Sequence, residues 1–196
     1  MSYIIVGLGN PGEEYTNTRH NTGRLVLEWA TKKFDFPEFH LDKKNQALVS
    51  DGKINKENVK LMEPETFMNK SGGSLKNLIT SEKKAGGLVI IHDDLDLPIG
   101  SIRIVFNRGS GGHKGVESIV RTIKTEKFIR IRIGISPTTP SGKTKKPKSE
   151  KVGDFILKEF KPEDISELKK VSKKVGEALE LIVKGEMFKA MSEYNQ

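Results

Sequence analysis

Four side chains in this sequence carry chemistry that hydrolysis requires. His20 can take up a proton near neutral pH, because the ordinary pKa of an imidazole lies close to that range. Asp93 could accept the second imidazole N–H, which would fix the tautomer and stabilise the imidazolium form. Asn10 and Asn69 carry carboxamides, which suit a peptide backbone or a developing oxyanion because they donate and accept hydrogen bonds. If the protein is a hydrolase, these residues favour water as the nucleophile.

Each of these residues also has a structural interpretation. His20 could be an ordinary surface histidine. Asp93 could cap the turn that leads to Pro98, as aspartate often does after a strand. Asn10 and Asn69 could bond nearby backbone groups in their own turns. From type and spacing alone, both interpretations stay open for every one of them.

A metal site is the main chemical alternative at these positions. His20, His113 and Asp93 could converge as two imidazoles and a carboxylate. However, the sequence lacks the close His-x-x-x-His spacing that marks a preformed site. The acidic run at residues 93–96 also lacks the glycine and the downstream glutamate of a calcium loop. We therefore expect neither a metal nor another cofactor.

The glycine-rich turn after the first apolar segment matches a dinucleotide-binding pattern. Residues 7–12 read Gly-x-Gly-x-x-Gly, which binds a pyrophosphate when a helix begins at the turn. Pro11 disfavours that geometry, because it pushes Asn10 out of the helical region and Pro-Gly is a turn signal. The acidic residue Glu28 lies inside the following helical pattern and not at a second strand end. A nucleotide cofactor is therefore not expected.

The composition narrows the class of protein. A chain of 196 residues is expected to form one domain with a sizeable core. Its 34 Lys and Arg against 26 Asp and Glu give a formal net charge of +8, which favours a polyanionic partner. The lack of cysteine excludes disulfides, thiolate zinc and cysteine nucleophiles, and no Gly-x-Ser-x-Gly elbow supports a covalent serine mechanism. Without a signal peptide or a bilayer-spanning apolar run, we expect a cytoplasmic enzyme or nucleic-acid-binding protein that does not enter a membrane.

Alternating strand and helix patterns must position these side chains. Strands are predicted at residues 3–7, 47–50, 58–62, 88–92, 101–106 and 129–135. Helices are predicted at residues 22–33, 66–83, 115–123, 162–184 and 187–193. This order predicts an α/β fold, a single domain over residues 1–196 in which helices flank both faces of a mixed, twisted β-sheet.

Four loops would meet at one edge of that sheet, because ligands of open α/β sheets bind outside the carboxyl ends of the strands. The loops are residues 9–20, 67–72, 92–96 and 109–115. The last of them offers backbone N–H groups before a helix, which suits an anion, although a tight turn would use the same glycines.

One segment, residues 137–151, is too long for a simple connection. Its Pro, Thr, Ser, Gly and Lys content cannot bury apolar surface, so we expect it to be mobile. Its lysines make it either a phosphate-contacting lid or a solvated loop; they are Lys143, Lys145, Lys146, Lys148 and Lys151.

Several long motifs, in matching order over essentially the whole chain, resemble the bacterial-type peptidyl-tRNA hydrolase family. The first two are Ile5-Val6-Gly7-Leu8-Gly9-Asn10-Pro11-Gly12-x-x-Tyr15-x-x-Thr18-Arg19-His20-Asn21 and Pro64-x-Thr66-Phe67-Met68-Asn69-x-Ser71-Gly72. The others are His92-Asp93-Asp94-Leu95-Asp96-Leu97-Pro98-x-Gly100, Gly111-Gly112-His113-x-Gly115 and Arg130-Ile131-Arg132-Ile133-Gly134-Ile135.

The resemblance implies hydrolysis of the ester that joins a peptide to the 3′-terminal ribose of tRNA, which recycles peptidyl-tRNA dropped from ribosomes. By that resemblance His20 would be the general base that activates water, and Asp93 would hold it in its basic form. Asn10 and Asn69 would position the peptide, the water and the ester carbonyl, with Asn10 in the catalytic set favouring N-blocked over free aminoacyl ends.

The resemblance also implies binding roles. Tyr15 and Phe67 would line the path of the tRNA 3′ end, and His113 would belong to the substrate-binding set. Contacts to tRNA phosphates would come from Arg103, Arg130, Arg132 and the lysines of residues 137–151. We expect a monomer that binds peptidyl-tRNA and needs no nucleotide cofactor.

One residue departs from the family pattern. The family usually has Asn in its Gly-Gly-His-Asn-Gly motif, where this chain has Lys114. An ammonium can donate to the same substrate oxygens but cannot accept a hydrogen bond, and a cation near His20 would lower its pKa. The alternative function is a non-catalytic RNA-binding protein on the same scaffold, as in organellar splicing factors that resemble the family.

Overall fold

Seven strands form one mixed sheet in a computed structural model that describes residues 2–195. The strands are β1 (Tyr3–Gly7), β2 (His40–Asp42), β3 (Ala47–Ile54), β4 (Glu57–Pro64), β5 (Leu88–Pro98), β6 (Ile102–Phe106) and β7 (Ile129–Ser136). Their order is β2-β3-β4-β1-β5-β7-β6. The central strands β4, β1, β5 and β7 run parallel, whereas β2 and β3 at one edge and β6 at the other pair antiparallel with their neighbours.

Helices cover both faces of the sheet. The α-helices are α1 (Thr22–Lys33), α2 (Glu82–Ala85), α3 (Lys114–Ile123), α4 (Val152–Ile156), α5 (Pro162–Val183) and α6 (Met187–Tyr194). Neighbouring residues of β1 point to opposite faces, so Ile5 packs with α1 and α5, and Val6 packs with α3 and the turn of 3₁₀ helix at Met68–Leu75. This arrangement confirms the predicted α/β fold class.

The central strands are apolar along most of their length because both of their faces are covered. Ile5, Val89, Ile91 and Ile131 lie in the core on the α1 side. Val6, Leu88 and Ile90 lie in the core on the α3 side. A parallel strand that is buried on both faces needs such a continuous apolar run, and the run ends where polar residues reach the sheet edge.

The predicted helix at residues 66–83 is wrong. The chain instead forms a 3₁₀ helix at Met68–Leu75, a turn, and the short α2. At Gly72 the backbone passes so close to α3 that an added Cβ would lie 2.3 Å from the carbonyl oxygen of Ser118. The Gly72 N–H also donates to Ser118 Oγ at 3.0 Å, so contact with α3 decides the local structure.

Other elements differ from the prediction in extent. Strand β5 continues to Pro98, and both β2 and α4 form where no element was predicted. The lysine-rich residues 137–151, here called the basic segment, contain an isolated bridge between Thr138 and Thr144 and a 3₁₀ turn at Ser149–Lys151. Its mobility stays a prediction. Among the described residues, no helix has the length and apolar character needed to cross a membrane.

A buried carboxyl group lies on β4, next to α1. Glu63 is 2% exposed, and its Oε1 has no hydrogen-bond partner among the described residues. Burial raises the pKa of Glu63, the charges of Glu28 and Glu65 add to this effect and Arg24 partly opposes it, and together they bring the pKa to about 8. Glu63 is therefore mainly protonated at neutral pH, which avoids an uncompensated buried charge.

We expect Glu63→Gln to stabilise the protein at alkaline pH. The folded carboxyl has a pKa of about 8 against 4.5 for its ordinary value, so wild-type stability falls as pH rises between the two. Glutamine does not titrate, and the gain in unfolding free energy should be roughly 3 kcal/mol larger at pH 8 than at pH 5. Urea denaturation at the two pH values measures it. The exposed Glu38→Gln is the control, and equal pH dependence in both variants would contradict the prediction.

Candidate active site

A histidine and an aspartate from two separate segments meet at the carboxyl edge of the sheet. His20 lies in a 3₁₀ turn directly before α1, and Asp93 lies on β5, the parallel neighbour of β1. His20 Nδ1 is 3.0 Å from each carboxylate oxygen of Asp93. Both residues are buried, with exposed fractions of 7% and 3%. The parallel pairing of β1 and β5 brings their carboxyl ends, and hence these side chains, together.

The electrostatics of the pair favour a basic imidazole beside an ionised carboxylate. Burial by itself lowers the pKa of His20, but the charge and hydrogen bond of Asp93 outweigh burial and leave it above its ordinary value. Burial would raise the pKa of Asp93, yet His20 and His113 hold it well below its usual range. With Asp93 ionised, Nδ1 of His20 carries the proton and Nε2 is the basic nitrogen.

A second imidazole binds the same carboxylate. His113 Nε2 donates to Asp93 Oδ1 at 2.8 Å, and His113 Nδ1 accepts the Val116 N–H at 3.4 Å at the start of α3. Accepting that N–H requires a lone pair on Nδ1, so these contacts place the donating N–H of His113 on Nε2. Asp93 is therefore shared between two imidazoles in defined tautomers.

His92 packs against this cluster of side chains, whereas the sequence pattern predicts only that it ends a strand. Its ring centre lies 4.5 Å from that of His113, and its Nδ1 donates to the Asp93 carbonyl at 2.7 Å. Burial, together with His113 and Arg130, lowers the pKa of His92 well below its ordinary value. His92 is thus a neutral packing residue behind the site. The only sequence signal was its position directly before Asp93.

The three groups considered as metal ligands do come together. The ligand atoms of His20, Asp93 and His113 lie within 4.8 Å of one another. However, each imidazole points a nitrogen directly at the carboxylate and forms a hydrogen bond with it. A carboxylate that orients two imidazoles accounts for the geometry, whereas a metal centre needs all three ligands directed at one common point.

Asn10 is held so that one side of its carboxamide is free. The Asn21 side chain makes two hydrogen bonds of 2.9 Å with the backbone of Asn10. Asn10 Oδ1 accepts the Met68 N–H at 2.8 Å. A backbone N–H must be met by oxygen, which fixes the orientation of the amide and leaves Nδ2 as a donor.

Two clefts meet at His20. One, of about 370 Å³, is lined by Leu95, Gly111, Gly112 and His113 on one side and by α4 on the other. The second, of about 500 Å³, is lined by Asn10, Phe67, Met68 and Asn69. Residues common to both are His20, Lys114, Gly153 and Ile156. A long substrate could therefore cross the site with its reacting bond at His20.

The rim of the second cleft carries exposed groups. Phe67 is 55% exposed and packs edge-on against Tyr15, with ring centres 6.4 Å apart. Asn69 is exposed. Lys114 Nζ lies 3.2 Å from Glu117 Oε2 on the surface of α3. From the sequence, a cation near His20 is expected to lower its pKa. The causes that shift this pKa are instead burial and Asp93, and the Lys114 ammonium is turned toward Glu117.

The predicted phosphate-binding arginines differ in their surroundings. Arg130 is buried, and its guanidinium donates to the carbonyls of Arg108, Gly109 and Ser110, so it holds that loop. Arg103 is exposed. Arg132 contacts Asp94 and Asp96, which line the first cleft.

Arg132 is paired with acidic residues. Its Nε donates to Asp94 Oδ2, and its Nη2 lies 3.8 Å from Asp96 Oδ2. Lys146 of the basic segment also contacts Asp96, at 2.6 Å. A phosphate would have to compete with these carboxylates for Arg132. Its role in substrate binding stays a prediction.

Comparison with known proteins decides the family. Residues 4–196 match the family model described as peptidyl-tRNA hydrolase. The chain belongs to the peptidyl-tRNA hydrolase family. The peptidyl-tRNA hydrolase of Fervidobacterium nodosum is 40% identical over 192 residues, which cover 98% of this chain and 95% of that protein. The peptidyl-tRNA hydrolase of Prochlorococcus marinus is 40% identical over 194 residues, covering 98% and 95%.

The fold agrees with solved peptidyl-tRNA hydrolase structures. The crystal structure of the Acinetobacter baumannii enzyme superposes with a TM-score of 0.87 at 32% identity, covering 98% of this chain and 94% of that one. A complex of peptidyl-tRNA hydrolase with N-propanol gives the same TM-score at 34% identity and the same coverage. The resemblance predicted from the motifs is confirmed for the family and for the fold.

Proposed function

We propose that this protein hydrolyses the ester bond between peptide and tRNA in peptidyl-tRNA, releasing free tRNA and an N-blocked peptide. Membership of the family supports the reaction. The observation that carries the proposal for this chain is the buried His20–Asp93 pair at the point where two clefts meet.

His20 and Asp93 perform the proton transfers. Nε2 of His20 removes a proton from water, and the resulting hydroxide attacks the ester carbonyl. Asp93 stabilises the imidazolium that forms, because its carboxylate lies 3.0 Å from Nδ1. When the tetrahedral intermediate collapses, the bond between the carbonyl carbon and the ribose 3′ oxygen breaks. The imidazolium then returns the proton to that oxygen.

Asn10 gives the site its preference for N-blocked substrates. Its Oδ1 is occupied by the Met68 N–H, so the carboxamide offers the substrate only the Nδ2 donor. A peptide carbonyl accepts that hydrogen bond. A free α-ammonium has only donors and is placed against another donor, which is unfavourable. Asn69, exposed on the same cleft, is proposed to contact the ester or the terminal ribose.

The remaining residues guide the tRNA end. Tyr15 and Phe67 form an aromatic wall on which bases or ribose can pack. His113, held by the Asp93 carboxylate, lines the first cleft. A net charge of +8 favours the phosphate backbone, with contacts from Arg103, Arg132 and the basic segment at residues 137–151. We also propose that the protein acts as a monomer in the cytoplasm.

Lys114→Asn should weaken tRNA binding while leaving turnover within a few-fold. The Lys114 ammonium lines both clefts, so it can attract the terminal ribose-phosphate, whereas asparagine keeps a donor but loses the charge. KM, kcat and the salt dependence of KM measure the effect. The control is Lys127→Asn, a surface lysine paired with Glu82 away from both clefts. A collapse of kcat with unchanged binding would contradict the prediction.

The test of the function is release of free tRNA from N-acetyl-aminoacyl-tRNA by the wild-type protein. Catalytic release supports the hydrolase. Tight tRNA binding without release would support the non-catalytic RNA-binding alternative, for which the site offers no separate support.

A further inference from the structure

We propose that Arg24 is a positioning residue that sets the selectivity of Asn10 for N-blocked substrates. This inference rests on the proposed function. Arg24 belongs to α1 and lines neither of the clefts that meet at His20. It acts through the segment that carries Met68, the hydrogen-bond partner of Asn10.

One nitrogen of Arg24 connects α1 to the chain that leads to Met68. Nη2 donates to the carbonyl of Pro64, the last residue of β4, and lies 2.7 Å from Glu65 Oε1. The Arg24 side chain is only 11% exposed, so solvent screens this pair weakly. The chain then runs through two residues to Phe67 and Met68. Arg24 therefore fixes the position of the chain just before the segment that contains Phe67 and Met68.

The same end of α1 also holds Asn10, which accepts the Met68 N–H. Asn21, three residues before Arg24, makes both backbone hydrogen bonds to Asn10. Asn10 is thus held through Asn21, and the approach to Met68 is held through Arg24. The distance between Asn10 Oδ1 and the Met68 N–H, 2.8 Å, is set by both attachments.

Close packing links the side chains of Arg24 and Asn21 to the backbone next to Asn10. A Cβ added at Gly9 would lie 2.8 Å from Arg24 Cδ and 2.9 Å from Asn21 Cγ, so both side chains press on the backbone directly before Asn10. Arg24 Nε is buried without a partner among residues 2–195. An unpartnered buried donor lowers stability, so the contacts of Nη2 with Pro64 and Glu65 must offset this cost for the side chain to stay in place.

Loss of the Arg24 contacts should free the carboxamide of Asn10. When the Met68 N–H is no longer held in place, Oδ1 loses its fixed partner and the amide can rotate. The oxygen can then face the substrate and accept a hydrogen bond from a free α-ammonium. The discrimination between blocked and free aminoacyl ends falls, although His20 and Asp93 are unchanged.

The test compares kcat/KM for N-acetyl-aminoacyl-tRNA with kcat/KM for the free aminoacyl-tRNA. In Arg24→Met the ratio should fall about tenfold, because small misplacements of a positioning group have large kinetic effects. Arg24→Lys should recover most of the ratio, since a single Nζ can replace Nη2 at both partners. The control Lys60→Met removes the cation of another ion pair on β4, with Asp51, and should leave the ratio unchanged.

Hydrogen exchange provides a second measurement. The Met68 amide should exchange faster in Arg24→Met than in the wild type and Lys60→Met. If Arg24→Met does not fold, Arg24→Gln, which is too short to reach Pro64, takes its place. An unchanged ratio, or equal losses on both substrates, would overturn the role of Arg24. Absence of hydrolysis by the wild type would instead overturn the proposed function.

Discussion

Replacing His20 by alanine should lower kcat/KM for N-acetyl-aminoacyl-tRNA by about 1,000-fold. The variant loses the group that removes a proton from water and returns it to the ribose oxygen. The Asp93 carboxylate that remains does not take over this role, because it is buried and stays hydrogen-bonded to His113. Binding of tRNA should change little, since the phosphate contacts are proposed to lie elsewhere.

The matched control is His40→Ala, which removes an exposed histidine from the edge strand β2. Its activity should equal that of the wild type. Release of tRNA is measured under single-turnover conditions, so that slow product release does not hide the chemical step. Equal rates for the wild type and His20→Ala would remove His20 as the base.

Asp93→Asn should lower kcat/KM by about 100-fold to 1,000-fold and move its acidic limb to lower pH. The base must be neutral, so activity falls as pH drops through the pKa of His20. Asp93 raises that pKa, and removal of its charge lowers it. Asparagine can also donate to Nδ1, which would place the imidazole proton on Nε2 and remove the basic lone pair.

A pH profile separates these effects from unfolding. The control Asp51→Asn, on the exposed side of β3, should keep both the rate and the position of the limb. A thermal melt checks that Asp93→Asn is folded. A folded variant whose acidic limb stays at the wild-type pH would show that Asp93 does not set the basicity of His20.

Local sequence patterns predicted much of the fold. The β-branched run of β1 and the three-to-four residue apolar spacing of α5 predicted those elements within a residue or two. The helix predicted at residues 66–83 failed because contact between Gly72 and Ser118 of α3 overrides local preference. Short elements such as β2 and α4 form through tertiary packing, which a single sequence pattern does not record.

The sequence by itself determined the family, the α/β class and the set of candidate reactive side chains, because these depend on residue identity and order. Only the tertiary structure decided how the side chains combine. It placed Asp93 between His20 and His113, directed the Asn10 oxygen at the Met68 N–H, and bound the Arg130 guanidinium to the carbonyls of residues 108–110. The contacts of His20 and His113 with Asp93 join residues 73 and 20 positions apart, and such contacts arise from strand order and packing across the sheet.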